Sequence, residues 1–385
     1  HEVKLLKFIE DIVEQRPKHN YIVCGDSFIC ERTLESTFFV LCDGIGSGVY
    51  ANIAAITCAN RMAELYRSRG SMRTMSEMVA DSMHRAREER IPFSAFTAVK
   101  ILNDGLFSVY TYEAPTPIMI RDGLAVPLKP VAHTAEYEII GESTGKLELG
   151  DSLVIVSDGI TQSGLGRGTA FGIGTEGLVD FINRRSSHKE NIRRLPGEVL
   201  EMSARMCGGI YEDDSTVAAF QCREASQMVV LTGPPALRSK DREIVDKFIN
   251  TPGIHVVAGS TTADIVSREL GKEVKLVNKG LSFGSPPEYK IEGIDLVTEG
   301  AIMLNQVYNI LDEDRSELDD SSLVERFCAM MLEADVITFI VGSAVNDAHT
   351  SLLFKQIGIR PRLTAVQLIS KKLKELGKLV IEIKY

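Results

Sequence analysis

The stretch Thr37-Phe-Phe-Val-Leu-Cys-Asp-Gly-Ile-Gly-Ser-Gly48 runs from an apolar segment through an acidic residue into a glycine-rich loop. The aromatic and β-branched side chains of 37–42 predict a buried strand. After Gly48, apolar residues recur at steps of three and four, which predicts a helix over 48–68. The quoted stretch therefore predicts a strand, an acidic turn and a helix in succession, with Asp43 at the end of the strand.

Three further acidic motifs stand beside apolar runs in the same way. They are Cys24-Gly-Asp26-Ser-Phe28, Val156-Ser-Asp158-Gly-Ile160 and Glu212-Asp-Asp214-Ser-Thr216. Taken singly, each motif is typical of a turn or a solvated loop, because Asp bonds its own backbone and Gly accepts positive φ. Taken together, they place several carboxylates at strand ends, and carboxylate oxygen is the preferred ligand of Mg²⁺ and Mn²⁺. A divalent-cation site is therefore one interpretation, beside that of four separate turns.

The segments around these motifs extend the pattern over the first 224 residues. Residues 21–24 form another short β-rich run, a second helix is predicted over 73–89, and Asn103-Asp-Gly105 is a strong hairpin signal. Two strands, two helices and a meander, in that order, favour a layered α+β fold over a doubly wound sheet.

The pattern changes near residue 225, where strands and helices begin to alternate. This alternation predicts an α/β domain with a mostly parallel, Rossmann-like sheet over 226–385, separate from a first domain over 1–224. One strand end leads into a helix through four small or polar residues that offer free N–H groups and hydroxyls to an anion: Gly259, Ser260, Thr261 and Thr262. Such residues are also typical of a plain helix cap, so both interpretations stay open.

Composition limits the classes of function. The 385 residues are 44% hydrophobic and 25% charged, with a net charge of -10. This acidic balance argues against a nucleic-acid-binding protein, whose affinity depends on Lys and Arg. No apolar run approaches the roughly 18 residues that suggest a membrane helix. The seven cysteines form no CxxC pair, so we interpret them as reduced core residues, which predicts a cytoplasmic protein.

With the four acidic motifs in this order and spacing, residues from about 15 to 223 resemble the PPM/PP2C metal-dependent serine/threonine phosphatases, specifically their bacterial sporulation-phosphatase (SpoIIE-like) branch. The most specific parts are the loop at 43–48, the segment at 147–160 and Asp213-Asp-Ser-Thr-Val217. The resemblance implies a β-sandwich flanked by helices and hydrolysis of phosphoserine or phosphothreonine on a bacterial regulatory protein. Residues 226–385 resemble no family that we identify.

The resemblance also implies roles for individual residues. Two divalent cations, Mn²⁺ or Mg²⁺, would be held by Asp26, Asp43, Gly44, Asp158, Asp213 and Asp214. Asp43 would bridge the two ions, the backbone carbonyl of Gly44 would ligate one of them, and Asp214 would be an outer ligand. Asp43 and Asp158 are expected to be the residues on which catalysis depends most directly. A hydroxide held by the two cations would attack phosphorus without a covalent enzyme intermediate.

Two positions depart from the wider PP2C pattern. The His that can protonate the leaving group two residues after the bridging Asp is replaced by Ile45, so we expect a metal-bound water to donate this proton. The arginine that grips phosphate has no clear counterpart. Arg16 is the nearest candidate, and it is also typical of an ordinary surface residue.

Other functions remain open from the sequence. A dinucleotide loop at 44–48 is disfavoured, because Val49 stands where that fingerprint needs a small residue and Asp43 would repel a pyrophosphate. The phosphatase domain could instead be a catalytically weak scaffold whose second domain binds a small phosphorylated ligand or a protein partner. In an active enzyme that second domain could control the activity. A small phosphorylated metabolite is a third class of substrate, and a homodimer is also compatible with the sequence.

Overall fold

The computed structural model describes residues 6–185, 192–280, 285–319, 321–344 and 358–385. The chain divides into two compact units, His1–Glu224 and Ala225–Tyr385. All seven cysteines are free thiols, and five of them are buried. Within the described ranges, no helix combines the length and the apolar character that crossing a membrane requires.

The first unit begins with strands and two long helices and continues as a meander of short strands. Its elements are β1 (Lys7–Arg16), β2 (Asp26–Arg32), β3 (Ser36–Gly44), α1 (Gly48–Arg67), α2 (Met72–Glu88), β4 (Ser94–Leu102), β5 (Leu106–Tyr112), β6 (Ile118–Arg121), β7 (Leu124–Pro127), β8 (Val131–Thr134), β9 (Ile139–Lys146), β10 (Ser152–Val156), α3 (Asp158–Thr161), α4 (Gly174–Arg184), α5 (Leu195–Met206) and β11 (Ser215–Glu224).

Two antiparallel sheets share one apolar core in this unit. One sheet has the strand order β1-β11-β10-β6-β7, and the other has the order β2-β3-β4-β5-β9-β8. Phe39 and Leu41 from one sheet are buried against Ile155 and Phe220 from the other. The rings of Phe39 and Phe220 meet edge to face with centroids 4.9 Å apart, a favoured aromatic geometry. The layered α+β fold predicted for the first unit is therefore confirmed.

Helices cover the outer faces of both sheets. The inner side of α1 carries small and apolar residues such as Cys58 and Met62, which pack with α2 against Phe38 of the six-stranded sheet. Helices α4 and α5 cover the five-stranded sheet, with Val199 packed against Val217. Because α1 starts immediately after β3 and lies across its sheet, its first turn is held beside the carboxyl end of that strand.

The strand predicted at 21–24 is wrong. β2 begins only at Asp26, which pairs with Asp43 near the end of β3. Residues 21–24 lie beyond that end, so they have no partner strand, and their apolar side chains are in an exposed loop. The hairpin around Gly105 and the two helices are confirmed to within two residues at each end. The first strand, β1, was not predicted.

The second unit alternates strands and helices. Its elements are β12 (Gln227–Thr232), α6 (Asp241–Asn250), β13 (Ile254–Ala258), α7 (Ser260–Leu270), β14 (Lys275–Asn278), β15 (Glu288–Lys290), β16 (Leu296–Thr298), α8 (Ala301–Ile310), α9 (Leu323–Glu333), β17 (Val336–Val341), α10 (Arg362–Glu375) and β18 (Leu379–Lys384).

Its sheet is mixed and has the strand order β14-β15-β16-β13-β12-β17-β18. The five strands from β16 to β18 in that order pair in parallel, whereas β14 and β15 add an antiparallel edge that was not predicted. Helices α8, α9 and α10 contribute to one apolar cluster, and α6 and α7 contribute to a second. The parallel strands end together at one edge, where the loops leading to the helices begin.

Candidate metal centre

Strand pairing brings the first two acidic residues together. β2 and β3 are antiparallel, and Asp26 is the residue directly opposite Asp43. The first turn of α1 packs closely behind them, because a Cβ on Gly44 would collide with the backbone carbonyl of Ala51. Gly44 is therefore needed for the close approach of α1, whatever its carbonyl does in metal binding.

The other acidic residues come from the second sheet. Asp158 begins α3 directly after β10, and Asp213 and Asp214 directly precede β11. The two segments are linked through Ser157, whose hydroxyl accepts a hydrogen bond from the Thr216 backbone N–H at 2.9 Å. Adjacent antiparallel strands therefore place these acidic residues at one end of the five-stranded sheet.

One hydrogen bond joins the two sheets at this end. The Thr216 hydroxyl of β11 donates to Asp26 Oδ2 of β2 at 2.6 Å and is itself buried. Gly25 contributes to the same junction, since a Cβ at that position would lie 2.5 Å from Asp214 Oδ2. The structure thus gathers carboxylates from both sheets into one acidic cluster: Asp26, Asp43, Asp158, Asp213 and Asp214.

The acidic cluster is electrostatically strained without a counterion. Burial raises the pKa of Asp26 to about 7, and the charges of Asp214 and Asp158 add to the effect. Burial, followed by the charges of Asp26 and Asp158, raises the pKa of Asp43 well above its ordinary value. The pKa of Asp213 is also raised, by burial and then by Asp158. The neighbouring carboxylates therefore disfavour ionisation of Asp26, Asp43 and Asp213.

The donor set fits divalent cations. Asp26 is 2% exposed, and its Oδ1 has no hydrogen-bond partner among the described residues. A buried, unpartnered carboxylate oxygen is costly unless something binds it, and hard cations such as Mg²⁺ and Mn²⁺ prefer oxygen ligands. In the described part of the chain, no three Asp, Glu, His or Cys side chains form a closed metal-binding group. The carboxylates are thus neighbours whose chemistry suits cations, without a preformed coordination shell.

Lys18 is a site residue that the sequence analysis missed. Its Nζ lies 3.9 Å from Asp213 Oδ1, and its backbone N–H donates to Asp214 Oδ1 at 3.0 Å. Among the described residues, this is the one ion pair that the acidic cluster makes. His19 N–H donates to the Tyr211 carbonyl at 2.8 Å, which attaches the same segment to the loop before β11. No local pattern marks Lys18, since its position depends on contacts across 190 or more residues.

The two positions that depart from the PP2C pattern are now located. Ile45 is exposed immediately after Gly44, and its backbone N–H donates to the Phe93 carbonyl. Arg16 ends β1 with its guanidinium on the Gln15 carbonyl at 2.7 Å and near Glu14 at 3.4 Å. Lys18, rather than Arg16, is the cation that the structure places beside the acidic cluster.

The predicted anion site of the second unit lies at the start of α7. Thr262 is buried, and its hydroxyl accepts a hydrogen bond from the Gly233 backbone N–H at 2.9 Å. Ser260 and Thr261 are exposed, and Gly259 has a φ of 141° before the helix. Part of this segment is therefore used in joining β12 to α7, and anion binding there stays a prediction.

Comparison with protein families supplies an independent assignment for the first unit. The family model described as "Stage II sporulation protein E (SpoIIE)" matches residues 34–223. Residues 34–223 belong to the SpoIIE phosphatase family. The SpoIIE domain contains four of the five members of the acidic cluster, and Asp26 lies just before the matched range. The first unit therefore carries a SpoIIE-type domain with the PP2C fold.

One solved structure supports the fold of the SpoIIE domain. The PP2C domain of Bacillus subtilis SpoIIE, solved with a fragment of its regulatory domain, is 15% identical, with a TM-score of 0.50 over 58% of this chain and 65% of that chain. The match thus spans less than two thirds of the SpoIIE chain. The RsbU and RsbW domains of a Mycobacterium tuberculosis protein are 18% identical over 63% of this chain and 69% of that one, with a TM-score of 0.49.

A structure of RsbX in complex with magnesium is 17% identical over 56% of this chain and 95% of that one, with a TM-score of 0.41. Comparison with curated protein sequences found no match. At 15% identity, the Bacillus subtilis SpoIIE structure supports the PP2C fold alone.

Proposed function

We propose that the SpoIIE domain hydrolyses phosphoserine or phosphothreonine on a regulatory protein, using two divalent cations held by the acidic cluster. The observation that carries this proposal is the buried, unpartnered Oδ1 of Asp26 directly opposite Asp43. Asp26, Asp43, Asp158, Asp213 and the carbonyl of Gly44 would hold the ions, with Asp214 outside them. When bound, two such cations supply a water of lowered pKa and neutralise charge on the phosphoryl group.

The chain's own residues support this chemistry in separate ways. The Thr216 hydroxyl holds Asp26 Oδ2 in place, which leaves Oδ1 as the free donor. Lys18 brings a half-exposed ammonium group next to Asp213, where it would attract the phosphate of a substrate. Ile45 cannot transfer a proton at the position where the wider family has His. The leaving group must therefore take its proton from water.

A substrate panel tests this proposal. The full chain would be assayed with Mn²⁺ and with Mg²⁺ on p-nitrophenyl phosphate, phosphoserine and phosphothreonine peptides, and small phosphorylated metabolites. We expect cation-dependent hydrolysis of the peptides that stops when EDTA is added. Hydrolysis of metabolites but not of peptides would assign the third substrate class. Absence of hydrolysis with either cation would favour the scaffold interpretation.

A separate proposal concerns the second unit. We infer a Rossmann-like sheet, because the five parallel strands taken in chain order occupy the spatial order 3-2-1-4-5. A small anionic ligand at 259–262 that controls the phosphatase would fit this arrangement. Isothermal titration of the full chain with inorganic phosphate, and of Thr261→Val as a comparison, would test binding. Homodimer formation and a cytoplasmic location stay predictions.

A further inference from the structure

One arginine of the second unit is half-buried without a counterion. Arg362 is the first residue of α10, and no described residue forms an ion pair with its guanidinium. Its Nη2 donates to the carbonyls of Gly342 and Ala344 at 2.8 and 3.0 Å. Its Nε is buried and has no hydrogen-bond partner among the described residues. The protein therefore neutralises neither the charge of Arg362 nor all of its N–H groups.

The surroundings of Arg362 are unfavourable for a positive charge. Burial lowers the pKa of Arg362, and no carboxylate of the described residues acts in the opposite direction. The first turn of α10 contains no acidic residue, and the N-terminal end of a helix repels cations. In contrast, the pKa of Arg268 on α7 is raised by its partners Glu269 and Asp241. A partly buried charge without a counterion is costly, and an anion bound at Arg362 would remove that cost.

Arg362 lies where the helices on the two faces of the sheet diverge. Along β12, Val229 packs in the cluster that contains α6, and Val230 packs in the cluster that contains α10. The loops after the parallel neighbours β12 and β17 are in contact, because a Cβ on Gly342 would collide with the Gly233 carbonyl. Open α/β sheets bind ligands outside the carboxyl ends of their strands, at the point where the chain changes from one face to the other.

Gly233 connects Arg362 to the predicted anion site at 259–262. A Cβ on Gly233 would collide with the guanidinium of Arg362, and its φ of 83° also favours glycine. Its backbone N–H donates to the Thr262 hydroxyl at 2.9 Å. Because Gly233 contacts both groups, the guanidinium and Thr262 Oγ1 lie within about 8 Å of each other. One small ligand can therefore reach both Arg362 and the first turn of α7.

We propose that Arg362 binds the phosphate group of a small phosphorylated molecule at the carboxyl ends of β12 and β17, beside the first turn of α7. This inference rests on the anionic ligand already proposed for the second unit, and it adds the cation that holds that ligand. A guanidinium makes strong, charge-assisted hydrogen bonds to phosphate. The N–H groups at the start of α7 and the exposed hydroxyls of Ser260 and Thr261 offer donors to further oxygens, of which phosphate has more than a carboxylate.

Isothermal titration of the full chain with inorganic phosphate tests this proposal. EDTA is present throughout, so that cations in the acidic cluster do not contribute a second phosphate site. We expect the unaltered chain to bind phosphate and Arg362→Gln to bind it at least about tenfold more weakly, because a hydrogen bond to a charged group is lost. Arg362→Lys keeps the charge and should bind with intermediate affinity. Arg242→Gln is the matched control, since Arg242 is an exposed arginine of α6 that pairs with Asp246, and it should bind like the unaltered chain.

Two results would overturn this inference together with the ligand proposed at 259–262 or separately from it. Absence of phosphate binding to the unaltered chain would overturn both, however the variants fold. The phosphatase proposal would stand, because cation-dependent hydrolysis is measured independently. Equal binding by Arg362→Gln and the unaltered chain would overturn the role of Arg362 alone, and weaker binding by Thr261→Val would then keep the ligand at 259–262.

The remaining comparisons test the charge and the chemical class of the ligand. An equal loss of affinity in Arg242→Gln would show that binding follows net charge, which would overturn the proposed site. If Arg362→Gln fails to fold, Arg362→Lys decides the outcome, and a folded Arg362→Lys that binds no phosphate would contradict a site held by positive charge. Acetate that binds as tightly as phosphate would overturn the choice of a phosphorylated ligand.

Discussion

Asp26 and Asp43 stand directly opposite each other on neighbouring antiparallel strands, and both pKa values are raised. Like charges opposite each other destabilise a strand pair, and burial increases the cost. A fold that kept these residues for stability alone would replace at least one of them. If the pair binds cations as proposed, it gives up stability for that binding, and the predictions below separate the two effects.

Asp43→Asn and Asp158→Asn should each lower cation-dependent hydrolysis of p-nitrophenyl phosphate more than about 100-fold, because each removes a charged oxygen donor from the acidic cluster. The matched control is Asp122→Asn, which alters another Asp-Gly pair in an exposed turn. Asn accepts the positive φ of that position, so the control should keep full activity. Unchanged hydrolysis in Asp43→Asn would contradict the metal assignment.

Asp26→Asn should stabilise the metal-free protein and abolish stabilisation by metal. The oxygen of the new amide can still accept the hydrogen bond from Thr216, and its N–H can donate to Asp43. The substitution therefore removes both the buried, unpartnered Oδ1 of Asp26 and the charge repulsion between Asp26 and Asp43. The expected gain is about 1–3 kcal/mol, seen as a Tm in EDTA that rises by about 2 °C or more. Differential scanning fluorimetry with EDTA and then with Mg²⁺ measures both effects. A lower Tm in EDTA would contradict this prediction, because it would show that the Asp26 carboxylate stabilises the metal-free protein.

Lys18→Ala should raise the KM for p-nitrophenyl phosphate about tenfold or more, because it removes a charge-assisted contact to the phosphate. Lys18→Arg should restore much of the affinity, since it keeps the charge. Arg16→Ala is the comparison, because Arg16 pairs with Glu14 and the Gln15 carbonyl instead of the acidic cluster. A large effect of Arg16→Ala with none of Lys18→Ala would reverse the assignment.

Glu142 should contribute to the loss of stability of the first unit at low pH. It accepts from Tyr110 at 2.9 Å, pairs with Arg73 of α2 at 2.6 Å and lies 2.8 Å from His133. Burial opposes ionisation, but these three partners outweigh it and hold its pKa below the ordinary value of 4.5. Because the folded pKa is the lower one, the stabilisation is complete above about pH 4.5 and is lost as the pH falls through the folded pKa.

Thermal unfolding of Glu142→Gln between pH 7 and pH 4 checks this prediction. We expect a lower Tm than in the unaltered protein at pH 7 and a smaller fall of Tm towards pH 4. Glu64→Gln, on the exposed side of α1, should follow the unaltered protein throughout. Parallel curves for Glu142→Gln and the unaltered protein would show that the contacts of Glu142 do not contribute.

Local patterns predicted much of the fold and of the candidate site. The helical period after Gly48, the hairpin at Gly105 and the alternation after residue 225 each depend on neighbours within one element. The strands β14 and β15 were missed because they are only four and three residues long. The strand β1 was missed because its apolar residues recur at steps of three and four instead of alternating. The error at 21–24 has a different origin, since β-forming residues make a strand only where a partner strand is available.

The sequence by itself determined that four acidic motifs stand beside apolar runs, that a glycine loop precedes a helix and that a second α/β region begins near residue 225. These features follow from residue type and spacing along the chain. Only the tertiary structure decided that Asp26 faces Asp43, that Lys18 lies beside Asp213 and that Ile22 is exposed instead of buried. Each of these depends on strand register or on contacts between distant segments, which local propensity does not encode.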